Sequence, residues 1–171
     1  MRIREAVLSD APKVTEVYVE SWKNTYKGII PDSYLKTMTA EKRLSQWENN
    51  IARHGNHVFI AETADGQIAG LADGSKRESN PFIQSGDLTS IYVAKKYQGK
   101  GAGKQLIKAL FACFEEMEYF RIFVEVLDDN SSKHFYEQLG AVLYKKSVIE
   151  IQGKKLSLLI YEWEDIRHLS F

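Results

Sequence analysis

One cysteine, three prolines, no net charge and no long apolar run leave several protein classes without support in this chain. The lone Cys113 excludes an internal disulfide framework. Lys plus Arg and Asp plus Glu both total 23, so no global basic field speaks for a nucleic acid or a membrane surface as partner. No stretch approaches the ~18 apolar residues of a membrane span. Met1 to Asp10 is charged and lacks the apolar region of a signal peptide. These absences point to the cytoplasm. His54 and His57 sit near a turn with no third ligand in the sequence, so no metal site is expected. Repeats, low-complexity tracts and linkers are missing too, so residues 1–171 are expected to form a single domain around one sizeable core.

What is there is ordinary globular composition, 44% hydrophobic and 27% charged, with strong local patterning. Arg2 to Val7 alternates as a short strand. Ser9, Asp10 and Pro12 open a helix whose apolar face is Val14, Val17, Tyr18 and Trp22; Gly28 and Pro31 end it. Residues 32–52 predict two helical pieces joined near Thr39, with Leu44, Trp47 and Ile51 as a stripe. Val58 to Glu62 and Ile68 to Ala72 read as strands around an Asp65-Gly66 hairpin turn. Ser75 to Gly86, with Asn80-Pro81 inside it, reads as a loop long enough to serve function. Asp87 to Val93 is the next strand, and Gly101 to Tyr119 a helix with an apolar face through Leu106, Leu110, Cys113, Phe114 and Met117. Arg121 to Leu127 predicts a strand and Asn130 to Leu139 a short helix. Ala141 to Ile151 and Lys155 to Trp163 form a closing hairpin around Gln152-Gly153. The order implies a mixed sheet, mostly antiparallel, with one parallel pair across Asp87 to Leu127.

The most informative stretch is Ile91-Tyr92-Val93 followed by Gln98-Gly99-Lys100-Gly101-Ala102-Gly103-Lys104. A strand runs into alternating glycines among which a helix begins. Glycine lets the backbone approach a ligand closely. The first helical turn has unpaired N–H groups and a partial positive charge, so the two together can cradle a phosphate. A P-loop would need Ser or Thr after its Lys, where Gln105 stands. A dinucleotide fingerprint would need its third glycine at Lys104 or Leu106. A phosphate cradle, or a turn that merely starts a helix, is left.

Gln98-x-x-Gly101-x-Gly103 resembles the Q/R-x-x-G-x-G/A signature of the GNAT (Gcn5-related N-acetyltransferase) superfamily. A second stretch, Asn130 to Ala141, is similar to that family's N-x-x-A-x-x-F-Y-x-x-x-G-F segment. Ser132 or Lys133 stands where small residues are frequent, and Ala141 replaces the usual Phe. The resemblance implies an α/β (α+β) GNAT fold: about seven strands in a mixed sheet, about four flanking helices, and a splay at the acetyl-CoA site. It implies transfer of the acetyl group of acetyl-CoA to a primary amine of a polyamine, an amino acid or a protein. Carried over by position, Ile91, Tyr92 and Val93 would pair with the pantetheine arm. Gln98, Gly99, Lys100, Gly101, Ala102, Gly103 and Lys104 would hold the pyrophosphate, with Asn130 and Lys133 also on the cofactor. The family often forms homodimers.

Tyr136 takes its role from the same resemblance. A tyrosine hydroxyl, with a pKa of about 10, keeps its proton where a thiol of about 8.5 loses it. It can therefore donate to a departing thiolate. An alkylammonium acceptor must shed protons, and the family commonly uses a carboxylate on the central strands; Asp87 and Glu125 are the candidates here. Trp22, Tyr26 and Tyr34 fall in the N-terminal helices that line the acceptor site in relatives, in a segment resembling a subgroup that includes polyamine acetyltransferases. A rival reading is a catalytically silent protein, or one binding a different acyl-CoA, on the same fold.

Overall fold

A computed structural model describes residues 1–78 and 82–170, so the Asn80-Pro81 pair lies outside the described residues. The seven strands are β1 (Arg2–Glu5), β2 (Asn56–Glu62), β3 (Ile68–Lys76), β4 (Ser85–Val93), β5 (Arg121–Leu127), β6 (Val142–Ile151) and β7 (Lys154–Trp163). The helices are α1 (Ala11–Tyr26), α2 (Asp32–Leu35), α3 (Ala40–Ala52), α4 (Ala102–Glu116) and α5 (Lys133–Gln138). The strands form one sheet in the order β1-β2-β3-β4-β5-β7-β6. Among the described strands only β4 and β5 pair in parallel, and the connection between them is α4, which supplies the long crossover a parallel pair requires.

Local chemistry accounts for most boundaries. Asp10 accepts the Val7 amide at 2.9 Å and pairs with Arg4 at 2.7 Å, fixing the turn into α1. Thr39 caps α3 by accepting the Lys42 amide at 3.4 Å. The β6–β7 turn places Gln152 at φ 47° and Gly153 at φ 80°, the two positive angles that a tight hairpin of matching twist demands.

Three expectations need correction. The strands on either side of the 77–84 connection are longer than predicted, because β3 runs on through Gly74 to Lys76 and β4 begins at Ser85, before Gly86. A Cβ at Gly70 would lie 2.7 Å from the Tyr92 carbonyl oxygen, and one at Gly74 would lie 2.4 Å from that of Asp87. The helix after β5 starts at Lys133, not at Asn130, whose Oδ1 is taken up by the Ser132 amide at 2.9 Å. The long helix stops at Glu116, and Glu118 adopts φ 59° to turn the chain into β5.

The core lies on both faces of the sheet. On one face α4 packs Leu106, Leu110 and Phe114 against Leu88, Val124 and Trp163. On the other, α1 and α3 bring Val14, Tyr18 and Trp47 onto Val58, Ile60 and Leu71. Among the described residues, no helix is long and apolar enough to cross a membrane.

Candidate active site

The site begins where the parallel pair comes apart. β4 and β5 are paired only over Ser85–Leu88 and Arg121–Val124. From Ser90 onward, past a bulge at Thr89, β4 keeps its partner β3, and from Glu125 onward β5 keeps its partner β7, but the two no longer hold each other. Backbone groups along the inner edges of both strands are left open, and a segment so placed must find other partners.

On the α4 side the gap widens into a groove of about 420 Å³. Its floor is Ile91 and Val93, its far wall Ser132, Phe135 and Tyr136, and its rim the glycine loop with Gln98, Gly99, Gly101, Ala102, Gly103 and Lys104. Gly99 and Gly101 take φ of 71° and 80°, which lets the chain turn sharply into α4. The Gln105 amide bonds to the Gly101 carbonyl at 3.1 Å, and the amides of Ala102, Gly103 and Lys104, in the first turn of α4, have no backbone partner among the described residues. A Cβ on Gly103 would come within 3.2 Å of the Phe135 ring, so glycine here keeps the groove open. Gln98 braces the loop: its Nε2 donates to the Val93 carbonyl at 2.9 Å.

Behind the groove, the gap narrows to a slot of about 70 Å³ lined by Tyr26, Ser90, Tyr92, Glu125, Asn130 and their neighbours. Ile91, Ser132 and Tyr136 line both spaces. Tyr136 is only 6% exposed, and its burial raises the hydroxyl above tyrosine's ordinary pKa, so it stays protonated. Beyond the slot lies a mouth of about 210 Å³ lined by Arg77, Asp87, Leu88, Thr89 and Glu125. Asp87 is ion-paired with Arg77. Burial raises the Asp87 pKa, and the Arg77 guanidinium opposes that rise. Arg77 also stacks over the Phe123 ring at 4.4 Å.

Most residues expected at a cofactor site therefore converge, with four exceptions. Tyr92 faces the opposite side, against Tyr18 and the slot. Asn130 lines the slot and not the groove. Lys100 lies outside the groove lining, with its ammonium 5.8 Å from the Tyr97 ring. Lys133 is held away by Asp128, at 2.7 Å from Oδ1 and 2.6 Å from the backbone oxygen. Of the three aromatic residues expected around an acceptor, only Tyr26 lines the slot. Trp22 backs it at 4.3 Å between ring centroids, and Tyr34 lies behind Trp22 at 6.0 Å. Sequence reasoning passed over Tyr97 and Phe135 as groove walls. Phe135 could have been found from its place beside Tyr136; Tyr97 sits in a single turn of 3-10 helix that left no pattern.

Residues 15–141 match the acetyltransferase (GNAT) family. The chain belongs to that family. It is similar to an N-acetyltransferase of Bacillus subtilis called YuaI, 29% identical over 98% of this chain and 95% of the relative. It is also similar to a spermidine N(1)-acetyltransferase of Thermoplasma acidophilum, 28% identical over 63% of this chain and 66% of the relative. Among solved structures, a ribosomal-protein-alanine N-acetyltransferase from Brucella melitensis superposes with a TM-score of 0.77, at 26% identity, over 96% of this chain and 99% of that one. The protein is thus an acyltransferase that moves the acetyl group of acetyl-CoA to an amine. Its groove suits that cosubstrate: open amides and Lys104 for phosphates, an apolar floor for the arm, and a narrow slot in line with the groove.

Proposed function

We propose that the chain is a cytoplasmic N-acetyltransferase of one domain, and that its acceptor is a small cationic primary amine of the polyamine kind. The observation that carries this reading is the position of Tyr136, buried at the junction between the groove and the slot. In the proposal, the amides of Gly99 to Lys104 hold the pyrophosphate, with Lys100 adding charge from outside the rim. The backbone edges of Ile91, Tyr92 and Val93 align the pantetheine arm. Acetyl-CoA supplies the activated acetyl group. Tyr136 donates its proton to the sulfur as the thiolate leaves, at a site already depleted of water.

The acceptor approaches through the mouth. Two carboxylates and one guanidinium face that space, a balance that draws in an ammonium. Glu125 takes the first proton in this reading, since of the two carboxylates it also lines the slot, whereas Asp87 is tied to Arg77 and acts by its charge. Tyr26, backed by Trp22 and Tyr34, shapes the wall on which the amine rests. Similarity to a spermidine N(1)-acetyltransferase over part of the chain supports the polyamine class. A homodimer, common among relatives, fits the edge strand β6, where Val142, Tyr144 and Val148 are exposed.

The test is a panel of polyamines, amino acids and peptide amines with acetyl-CoA, read by free thiol release, beside CoA-induced thermal stabilisation. Turnover with polyamines is expected. Stabilisation by CoA with no turnover on any amine would instead identify a silent acyl-CoA binder.

A further inference from the structure

Asp73 has no assigned part in the site described above. It lies in β3, is 1% exposed, and its Oδ1 has no hydrogen-bond partner among the described residues. A buried carboxylate left in this state costs stability, and so calls for a reason. Its surroundings are mostly aromatic or neutral. Tyr18 faces it from α1, Arg53 from the end of α3, just past its last residue, Asn56 from β2, and Ser90 from β4. Arg43 of α3 lies near Tyr18, and Tyr92 and Asp87 stand on the same strand as Ser90. The result is a carboxyl pKa pushed up to about 6, chiefly by burial, with Ser90, Asn56 and Arg53 opposing.

The position matters more than the shift. Asp73 is the cross-strand neighbour of Ser90, and Ser90 lines the slot. Asp73 on β3 thus neighbours Ser90 on β4, and Ser90 shares the lining of the slot with Glu125 of β5, just beyond the point where β4 and β5 part. Adjacent strands lie about 4.8 Å apart, so one hydroxyl spans the distance from the slot to the buried carboxylate.

We infer that Asp73, acting through the Ser90 hydroxyl, holds the proton that the acceptor nitrogen releases as the new C–N bond forms. This rests on the acetyl-transfer reading. An alkylammonium gives up two protons in becoming an amide. The first leaves at the mouth, to Glu125 and then solvent. The second becomes acidic only when nitrogen bonds to the acetyl carbon, inside the slot. Ser90 takes that proton and passes its own to Asp73. The C–S bond breaks, its electron pair goes to sulfur, and sulfur takes the proton of Tyr136. After the products leave, water returns the proton from Asp73 to Tyr136, and both groups are reset. Asp73 is thus a positioning and proton-holding residue that does not touch the substrate.

The experiment measures kcat at saturating acetyl-CoA and amine from pH 5 to 9, for the wild type, Asp73→Asn, Ser90→Ala and the double variant. The wild type is expected to lose rate as pH falls through about 6, because Asp73 must be unprotonated to receive a proton. Asp73→Asn is expected to lower kcat on the order of a hundredfold and to abolish that limb, with CoA-induced stabilisation unchanged. Ser90→Ala should do the same, and the double variant should be no worse than either alone. If Asp73→Asn fails to fold, Ser90→Ala carries the test. A variant that retains the limb near pH 6 and most of the wild-type kcat overturns the inference alone. Absence of turnover in the wild type, with CoA bound, overturns the acetyl-transfer reading and this inference with it.

Discussion

Along the groove, from Gly99 to Gly103, the wall is largely backbone. Across Tyr136, the slot and its mouth are made of side chains: Tyr26, Ser90, Glu125, Asp87 and Arg77. The groove residues of the loop come from one short stretch of chain. The slot and mouth residues come from α1, β4, β5 and the segment after β3. A cosubstrate used by every member of a family can be met by amides, which no substitution alters except through conformation. An acceptor that differs among relatives has to be met by side chains, and those can change one at a time without disturbing the cradle.

That contrast can be broken by substitutions that reach only one side. Gly103→Val should have the largest effect, since its side chain would press on Phe135 in the groove. Overpacking of about 3 kcal/mol corresponds to a loss of CoA affinity on the order of a hundredfold. Isothermal titration with CoA, alongside a normal circular dichroism spectrum, checks it. If Tyr136 is the proposed acid, Tyr136→Phe should cut kcat by about a hundredfold while leaving CoA affinity intact, because the hydroxyl would act on the developing thiolate. An unchanged single-turnover rate would remove Tyr136 from the acid role. Glu125→Gln should raise the acceptor KM roughly tenfold, the range for loss of a charged hydrogen bond, with CoA binding untouched. If CoA affinity fell as well, the two halves would not be separable.

A smaller effect appears in stability. The Asp73 carboxyl is raised from its ordinary value of 3.8 to about 6, so its charged form opposes folding. That penalty is absent below the unfolded pKa, grows as pH rises, and is complete above about 6. Asp73→Asn should therefore gain stability over the wild type between pH 4 and pH 8, by at most about 3 kcal/mol. Urea unfolding at the two pH values measures it. Thr39→Ala should cost about 1 kcal/mol through the lost cap and leave both kinetic constants alone.

The two halves also differ in how much of them could be read from sequence. The cradle and Tyr136 lie in compact motifs, and the Asp65-Gly66 and Gln152-Gly153 turns announce themselves by residue type. Gly66 and Gly153 indeed take φ of 76° and 80°. Gly74 misled, because glycine in a strand looks like a break until the neighbouring carbonyl is seen beside it. Lys133 is expected on the cofactor from its place in the second motif, but Asp128 at five residues' distance claims it first. Asp73 gave no signal at all. Its burial depends on α1 and α3, far away in sequence, folding over β3. A carboxylate between Ala72, where the expected strand ends, and Gly74 reads only as an ordinary polar residue.

The parting of β4 from β5 also has a kinetic consequence. Two strands that end side by side without bonding form an unfinished seam, and a chain-like ligand with amides of its own can close it as an extra strand would. Until that happens, the inner edges beyond Leu88 and Val124 are open to solvent exchange. Acetyl-CoA is thus expected to bind first and the amine second, in compulsory order. Amide exchange at Ile91 to Val93 should slow when CoA is added and stay unchanged when the amine is added alone.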